Sequence, residues 1–87
     1  MVVIWPEWGG WELELSAHLE MRMEDRDFSE VNLRAMLEHA SGVYPSIEEG
    51  RWVIKTKHRR RSWKVIVEPD YDRQLLVIVT AYPVSRA

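Results

Sequence analysis

The chain has 87 residues, no cysteine and a net charge of −2 at pH 7. Its length predicts one domain, and the missing cysteines exclude disulfides, thiolate metal sites and thiol catalysis. No apolar run is long enough to span a membrane and no signal peptide is evident, so we expect a cytoplasmic protein without membrane partners.

The two halves of the chain carry opposite charge. Residues 1–50 hold three Arg, no Lys and eleven Asp or Glu, whereas residues 51–87 hold nine Lys or Arg and three Asp or Glu. Six of those basic residues, with one His, lie between positions 55 and 64. Such asymmetry indicates contact with nucleic acid.

Helical and alternating apolar patterns predict the order of elements. Residues 1–10 are rich in Trp, Pro and Gly, and residues 2–5 allow only a short strand. Ser16 and Ser29 each precede a helical apolar pattern and are good helix caps. The predicted elements are a strand over residues 11–15, helices from Ser16 to about Arg26 and from Glu30 to about His39, a loop over residues 44–50, and strands over residues 51–58, 62–69 and 74–82.

The connections at residues 59–61 and 70–72 are short enough for hairpins, so the last three strands should be antiparallel neighbours. Two helices beside such a sheet predict an α+β fold of two layers, with both helices packed on an antiparallel sheet of about four strands. Residues 1–87 then form a single domain, in which residues 1–10 are an N-terminal extension.

Alternation also predicts which side chains share a sheet face. Trp52 and Ile54 lie on one face of their strand, and Lys55 and Lys57 lie on the other. In the next strand Trp63 and Lys64 lie on different faces in the same way. If the Trp-bearing faces meet the helices, the lysines are left on the exposed face. The last strand is apolar on both sides, so its facing is not determined by this pattern.

Four motifs together resemble a family of short bacterial domains of unknown function that is grouped with the barnase, colicin and RelE-like toxin ribonucleases. They are LSAHLEMRM at residues 15–23, GRWVI at 50–54, WKVIVE at 63–68 and VIVTAYP at 77–83. The resemblance covers about residues 11–84. It implies a RelE-like fold, metal-independent cleavage of RNA with ribosome-associated mRNA as a candidate target, and a cognate antitoxin as partner.

Cleavage of this kind needs a base for the ribose 2′-hydroxyl, cations for the phosphorane and an acid for the leaving oxygen. His18 fits the base, because it lies in a first helical turn where the dipole favours neutral imidazole. Arg22 follows one turn later and fits a phosphate grip, which Arg26 extends. The other interpretation is a solvated helix face with Asp25 and Glu14 as salt partners.

The basic hairpin supplies the remaining candidates. Lysines on one sheet face bind an RNA backbone, although lysines also protect edge strands from aggregation. The three arginines of the turn fit an anchor for RNA or for an acidic segment of an antitoxin. The catalytic candidates are His18, Arg22, Lys55 and Tyr82, and the candidate RNA contacts are Arg26, Lys57, His58, Arg59, Arg60, Arg61, Lys64 and Thr80.

Several alternatives stay open. Tyr82 and Thr80 also fit a packing pair between strands, and His58 also fits an exposed residue beside the turn. Trp5, Trp8 and Trp11 are too many to bury in so small a domain, and they predict a covered sheet edge or a homodimer surface. Three His without helical pairing and no Gly-rich phosphate loop predict no metal and no cofactor. A catalytically silent nucleic-acid-binding module and a protein-interaction domain remain as rival functions.

Overall fold

Both helices and the three basic-half strands lie close to their predicted positions. The computed structural model describes residues 4–84, so most of the possible strand at residues 2–5 lies outside the described residues. In chain order the elements are a short 3₁₀-helix (Glu7–Gly10), β1 (Glu12–Leu15), α1 (Ala17–Asp25), α2 (Glu30–Glu38), β2 (Gly42–Pro45), β3 (Trp52–His58), β4 (Arg61–Asp70) and β5 (Leu75–Pro83).

The sheet has five strands in the order β1-β5-β4-β3-β2, and it is mixed. Strand β1 pairs parallel to β5, whereas the other neighbours are antiparallel. The prediction of a purely antiparallel sheet of about four strands is therefore corrected, while the α+β class with two helices is confirmed. Strand β2 was missed because Gly42 and Pro45 are poor strand residues, and pairing with β3 supplies the hydrogen bonds that stabilise it.

Serine side chains begin both helices as their positions predict. Ser16 Oγ accepts a hydrogen bond from Leu19 N at 3.0 Å and donates one to the carbonyl oxygen of Val79 at 2.9 Å. Ser29 and Asn32 form a reciprocal capping box at the start of α2. The first cap thus also attaches α1 to β5, which places the start of the helix beside the middle of that strand.

The core lies between the helices and one face of the sheet. Thr56 Oγ1 donates a hydrogen bond to the carbonyl oxygen of Met36, so this face of β3 meets α2. No helix within residues 4–84 covers the other face, which we call the open face. The buried residues of the core cluster are Trp8, Leu19, Phe28, Leu33, Met36, Ile54, Trp63, Val65, Val67, Leu76, Ile78 and Ala81.

A bulge in β5 decides the facing that the sequence left open. Ile66 pairs with Thr80 but its neighbour Val67 pairs with Ile78, so Val79 is an extra residue on β5. The bulge lets Ile78 and Ala81 both face the core although they are three residues apart. Thr80 consequently takes the side of Ile66, which is the open face.

The N-terminal tryptophans belong to the fold rather than to an appended extension. Trp8 is 0% exposed and its ring lies edge-on to Trp52 at a centroid distance of 5.5 Å. Trp5 and Trp11 are half-buried and pack against the core. Trp8 is therefore not available as a homodimer surface, because the 3₁₀-helix turns its side chain inward.

Candidate nucleic-acid interface

Three candidate residues from three strands form one row across the open face. Lys55 on β3 lies opposite Lys64 on β4, and Lys64 lies opposite Tyr82 on β5. Side chains directly opposite in antiparallel strands have Cβ atoms about 4.5–5.5 Å apart. Two ammonium groups and a phenol therefore lie within reach of one ligand group.

The row is flanked by further polar and apolar positions of the same face. Lys57 lies opposite Ser62 on the side toward the β3–β4 turn. On the other side lies a second row of paired residues. Tyr44 lies opposite Val53, Val53 lies opposite Ile66, and Ile66 lies opposite Thr80. Like charges placed directly opposite are destabilising, so the Lys55–Lys64 pair is a position where a bound anion would relieve repulsion.

Two cavities lie side by side on this face. The first, of about 550 Å³, is cationic: its lining includes Lys55, Lys57, Lys64 and Tyr44. The second has a volume of about 480 Å³, and Tyr44 and Lys64 line it as well. The two cavities are therefore adjacent, with basic side chains around the first and a largely apolar floor in the second. Together we call them the groove.

The turn between β3 and β4 is formed by two arginines in an unusual backbone conformation. Arg59 and Arg60 have φ values of 53° and 67°, as a type I′ turn requires. Asn and Gly are the residues that normally fill such a turn, because a Cβ is disfavoured there. Arg59 pairs with Asp27 at 3.2 Å, and Arg61 begins β4 instead of lying in the turn. The turn therefore has backbone strain at two positions that carry positively charged side chains.

His58 does not lie on the open face. It has the parity of Ile54 and Thr56 in β3, and its ring stands edge-on to Trp63 at a centroid distance of 5.5 Å. Its Nε2 is buried and has no hydrogen-bond partner among residues 4–84. The imidazole thus packs beside the core edge on the helix side.

The candidates from α1 lie in the helix layer, away from the lysine row. His18 is exposed in the first turn, one residue before the buried Leu19. Arg22 pairs with Asp25 at 3.3 Å, as the salt-partner interpretation predicts, but Glu14, the other predicted partner, pairs with Arg73 instead. Arg26 donates a hydrogen bond from Nη1 to the carbonyl oxygen of Ala81 at 2.8 Å, at the part of β5 beyond its pairing with β1.

The structure therefore brings Lys55, Lys64 and Tyr82 together but does not bring His18 and Arg22 into the same row. The described hydrogen bonds and ion pairs of α1 connect it to β5 and to itself, and none connects it to a lysine. The reason is topological: β3 and β4 present their lysines to the face opposite the one on which α1 packs.

Sequence reasoning missed Tyr44 and the β2–β3 loop as parts of the groove. Residues 44–50 were predicted to be a plain loop, yet Tyr44 belongs to β2 and lies opposite Val53. The alternation of residues 51–57 already identified the open face of β3. The alternation could not identify β2 as the neighbour of β3, because a strand formed by long-range pairing at the sheet edge leaves no local pattern.

The charged network at the other end of the sheet has a structural role. Both carboxylate oxygens of Glu14 accept hydrogen bonds from Arg73, at 3.1 and 2.8 Å. Arg73 Nε also donates to Asp70 at 2.7 Å. The pKa of the Asp70 carboxyl lies below its ordinary value of 3.8 because the side chain of Arg73 donates to it. The network joins β1 to the β4–β5 turn.

Within the described residues, no group of three or more His, Asp or Glu side chains is arranged to hold a metal ion. Neither described helix has the length and apolarity that a membrane span requires. Comparisons with protein-family models, with curated proteins and with solved structures found no match to this chain. Function is therefore inferred from the groove itself.

Proposed function

We propose that the protein binds RNA along the open face of its sheet. The observation that carries this proposal is the Lys55–Lys64 pair, two cations directly opposite each other on the open face. Lys57 and the β3–β4 turn extend the positive charge beyond that pair. Tyr44 and Tyr82 add aromatic rings on which unstacked bases pack, which is how proteins commonly hold single-stranded RNA.

A binding titration tests this proposal. Fluorescence anisotropy with a labelled single-stranded RNA should show affinity that falls as salt rises, because lysines displace counterions from phosphates. Replacing Lys55, Lys57 and Lys64 by Ala should weaken binding and flatten the logarithmic salt slope by about two. Arg34→Ala is the matched control, since this exposed arginine lies on α2 and pairs only with Glu30 among the described residues.

Equal losses in the triple-lysine variant and in Arg34→Ala would contradict the proposal. So would an affinity of the unmodified protein that does not change with salt. Circular dichroism of each variant shows whether a loss of affinity reflects unfolding instead.

A second candidate function is metal-independent cleavage of that RNA, as the resemblance to toxin ribonucleases implies. The observation that favours it is the row of Lys55, Lys64 and Tyr82, which places two ammonium groups beside a phenol. In such a reaction the ribose 2′-hydroxyl loses its proton and attacks phosphorus, and the leaving 5′-oxygen gains a proton. Ammonium groups stabilise the phosphorane, while a phenol at the same phosphate exchanges a proton.

Incubation of labelled RNA with the protein in EDTA tests cleavage. If the row acts on the phosphate, Tyr82→Phe and Lys55→Ala should each slow cleavage about 10²-fold or more. A His18→Ala/Arg22→Ala variant then retains the rate of the unmodified protein. Loss of cleavage in that α1 variant alone would assign the chemistry to the helix layer. Binding without cleavage in any preparation would leave the binding module as the function.

The proposal of a toxin with a cognate antitoxin rests on the resemblance. Induced expression in bacterial cells tests it, because an active toxin that cleaves cytoplasmic mRNA should arrest growth. If the arrest disappears in the Lys55→Ala/Tyr82→Phe variant, the growth arrest depends on the row of Lys55, Lys64 and Tyr82. Normal growth at the same protein level would speak against a toxin.

A further inference from the structure

The second cavity of the groove differs from the cationic cavity in its largely apolar floor. It lies on Val53 and Ile66 of the sheet, and Tyr44 and Tyr82 also line it. Its apolar floor and aromatic sides suit a flat ring, whereas a phosphate would be poorly solvated there. Its volume of about 480 Å³ is in the range of small-ligand sites.

The β2–β3 loop forms the polar wall of this cavity and is held in one conformation. Ser46 N donates to the carbonyl oxygen of Arg51 at 2.9 Å, and Arg51 N donates to that of Glu48 at 3.2 Å. Gly50 has a φ of 83°, which the turn requires and which residues with a Cβ rarely adopt. The wall is therefore preorganised by its own backbone.

Glu48 is the acceptor that this wall presents. Its Oε2 accepts from NH1 of Arg51 at 2.8 Å, and Arg51 also pairs with Glu68 at 3.2 Å. Glu48 Oε1 has no hydrogen-bond partner among the described residues, and the side chain is 64% exposed. Arg51 thus orients a carboxylate that still has an open oxygen at the cavity.

The two cavities are adjacent at Lys64 and Tyr44, which line both of them. A phosphate held between Lys55 and Lys64 therefore places its own nucleotide or the next one beside the second cavity. This adjacency connects a base pocket to the backbone site, and it extends the proposed RNA binding, on which it rests.

We infer that the second cavity is a nucleobase pocket that selects guanine through Glu48. The Watson–Crick edge of guanine presents two neighbouring donors, N1–H and the N2 amino group, which match a carboxylate. Adenine and cytosine present one donor beside a ring-nitrogen acceptor, and uracil presents one donor between two carbonyl oxygens. For these bases an acceptor faces the carboxylate, so binding is weaker.

Anisotropy titrations with short RNAs test the pocket. The probes are a heptamer of uridine and heptamers that carry one central guanosine, inosine or adenosine among uridines. The guanosine RNA should bind about tenfold tighter than the uridine RNA. The inosine RNA, which lacks the N2 amino group, should be intermediate, and the adenosine RNA should resemble the uridine RNA.

Two variants locate the preference. Glu48→Gln should reduce the guanosine-to-uridine affinity ratio to about one, because the amide presents a donor as well as an acceptor. Glu49→Gln is the matched control: it removes the same charge from the neighbouring exposed residue, which does not line the cavity, and it should retain the ratio. Affinity for the uridine heptamer serves as the test of folding in both variants.

The outcomes separate the two proposals. If the uridine heptamer does not bind the unmodified protein, the RNA-binding face itself is refuted. If it binds but guanosine brings no gain, or if Glu48→Gln keeps the gain, the guanine pocket is refuted and the binding face stands. If both carboxylate variants lose the ratio equally, general charge explains it, and the pocket is again refuted.

Discussion

At the scale of single residues, Arg73 shows how one side chain joins distant parts of the chain. It contacts Glu14 on β1 and Asp70 at the end of β4, and these interactions raise the pKa of its guanidinium. Among the described strands β1 pairs only with β5, so the Glu14 contact provides a second attachment for this edge strand. The Asp70 contact is local, three residues away in the same turn, whereas the Glu14 contact does not follow from local sequence.

Asp70→Asn should make the protein less stable at neutral pH and less sensitive to acid. The pKa of Asp70 is lower in the folded chain because Arg73 donates hydrogen bonds to it. A carboxyl of this kind stabilises the fold above its ordinary pKa, and the contribution is lost as pH falls through the folded value. The melting temperatures of the variant and of the unmodified protein should therefore differ at pH 7 and converge below pH 3.8.

Asp72→Asn is the control, since this exposed neighbour in the same turn makes no described ion pair. A difference for Asp70→Asn that stays constant from pH 7 to pH 2 would show that the hydrogen bonds to Arg73 contribute nothing through titration.

Gly9→Ala should destabilise the fold, whereas Gly10→Ala should not. A Cβ at Gly9 would lie 2.6 Å from Cβ of Trp5, but one at Gly10 would meet no atom within 4 Å. Overpacking of this kind costs about 1–3 kcal/mol, while a surface change stays within about 0.5 kcal/mol. Urea unfolding measures both free energies; equal values would mean that Trp5 moves aside without cost.

At the scale of elements, the β3–β4 hairpin combines a predictable part with an unexpected one. Alternation correctly assigned the faces of Trp52, Ile54, Lys55 and Lys57, because period-two patterning is local. The turn type was not evident, since arginines give no signal for positive φ. The hairpin turn has only two residues, so its two strands stay paired up to His58 and Arg61.

Replacing Arg59-Arg60 by Asn-Gly should stabilise the protein by about 1 kcal/mol and weaken its binding of RNA. The replacement residues adopt positive φ more readily, so strain is relieved while two cations are lost. Denaturant unfolding and anisotropy measure the two effects.

Arg59→Ala/Arg60→Ala separates these effects, because it removes both charges but keeps a Cβ at each positive φ. This variant should lose affinity without gaining stability. If it gains as much stability as the Asn-Gly variant, repulsion between cations and not backbone strain is the destabilising factor.

At the scale of the whole molecule, the N-terminal segment completes the core. The resemblance begins at about residue 11, but the fully buried Trp8 packs on Trp52 and on the half-buried Trp5. A domain that started at residue 11 would leave this part of the core open to water. Residues 4–84 are therefore one folded unit.

Trp8→Ala should cost about 3–5 kcal/mol, and deletion of residues 1–10 should prevent stable folding. Trp8→Phe is the matched control: it keeps much of the aromatic bulk and removes the indole N–H, which has no partner among residues 4–84. Thermal unfolding followed by near-ultraviolet circular dichroism measures both variants. A deletion variant that melts like the full chain would contradict this role.

The charge asymmetry of the two halves is partly reflected in the layers of the fold. The helices carry five of the fourteen acidic residues and no lysine, and β3 and β4 carry the lysines on the other side of the sheet. The sequence-based hypothesis grouped His18 and Arg22 with the lysines, although the fold places them in different layers. Charge and motif order indicate which residues are chemically suited to RNA, but they carry no information about which layer each residue occupies.

Local patterns in the sequence predict the α+β class, both helices with their serine caps, and the facing of β3 and β4, because caps and periodicity act over a few residues. The existence of β2, the parallel pairing of β1, the bulge that orients Thr80 and the burial of Trp8 follow only from the folded arrangement. These depend on hydrogen bonds and packing between residues far apart in the chain. The groove on the open face depends on both, since the facing of its lysines follows from local alternation and its walls follow from long-range pairing.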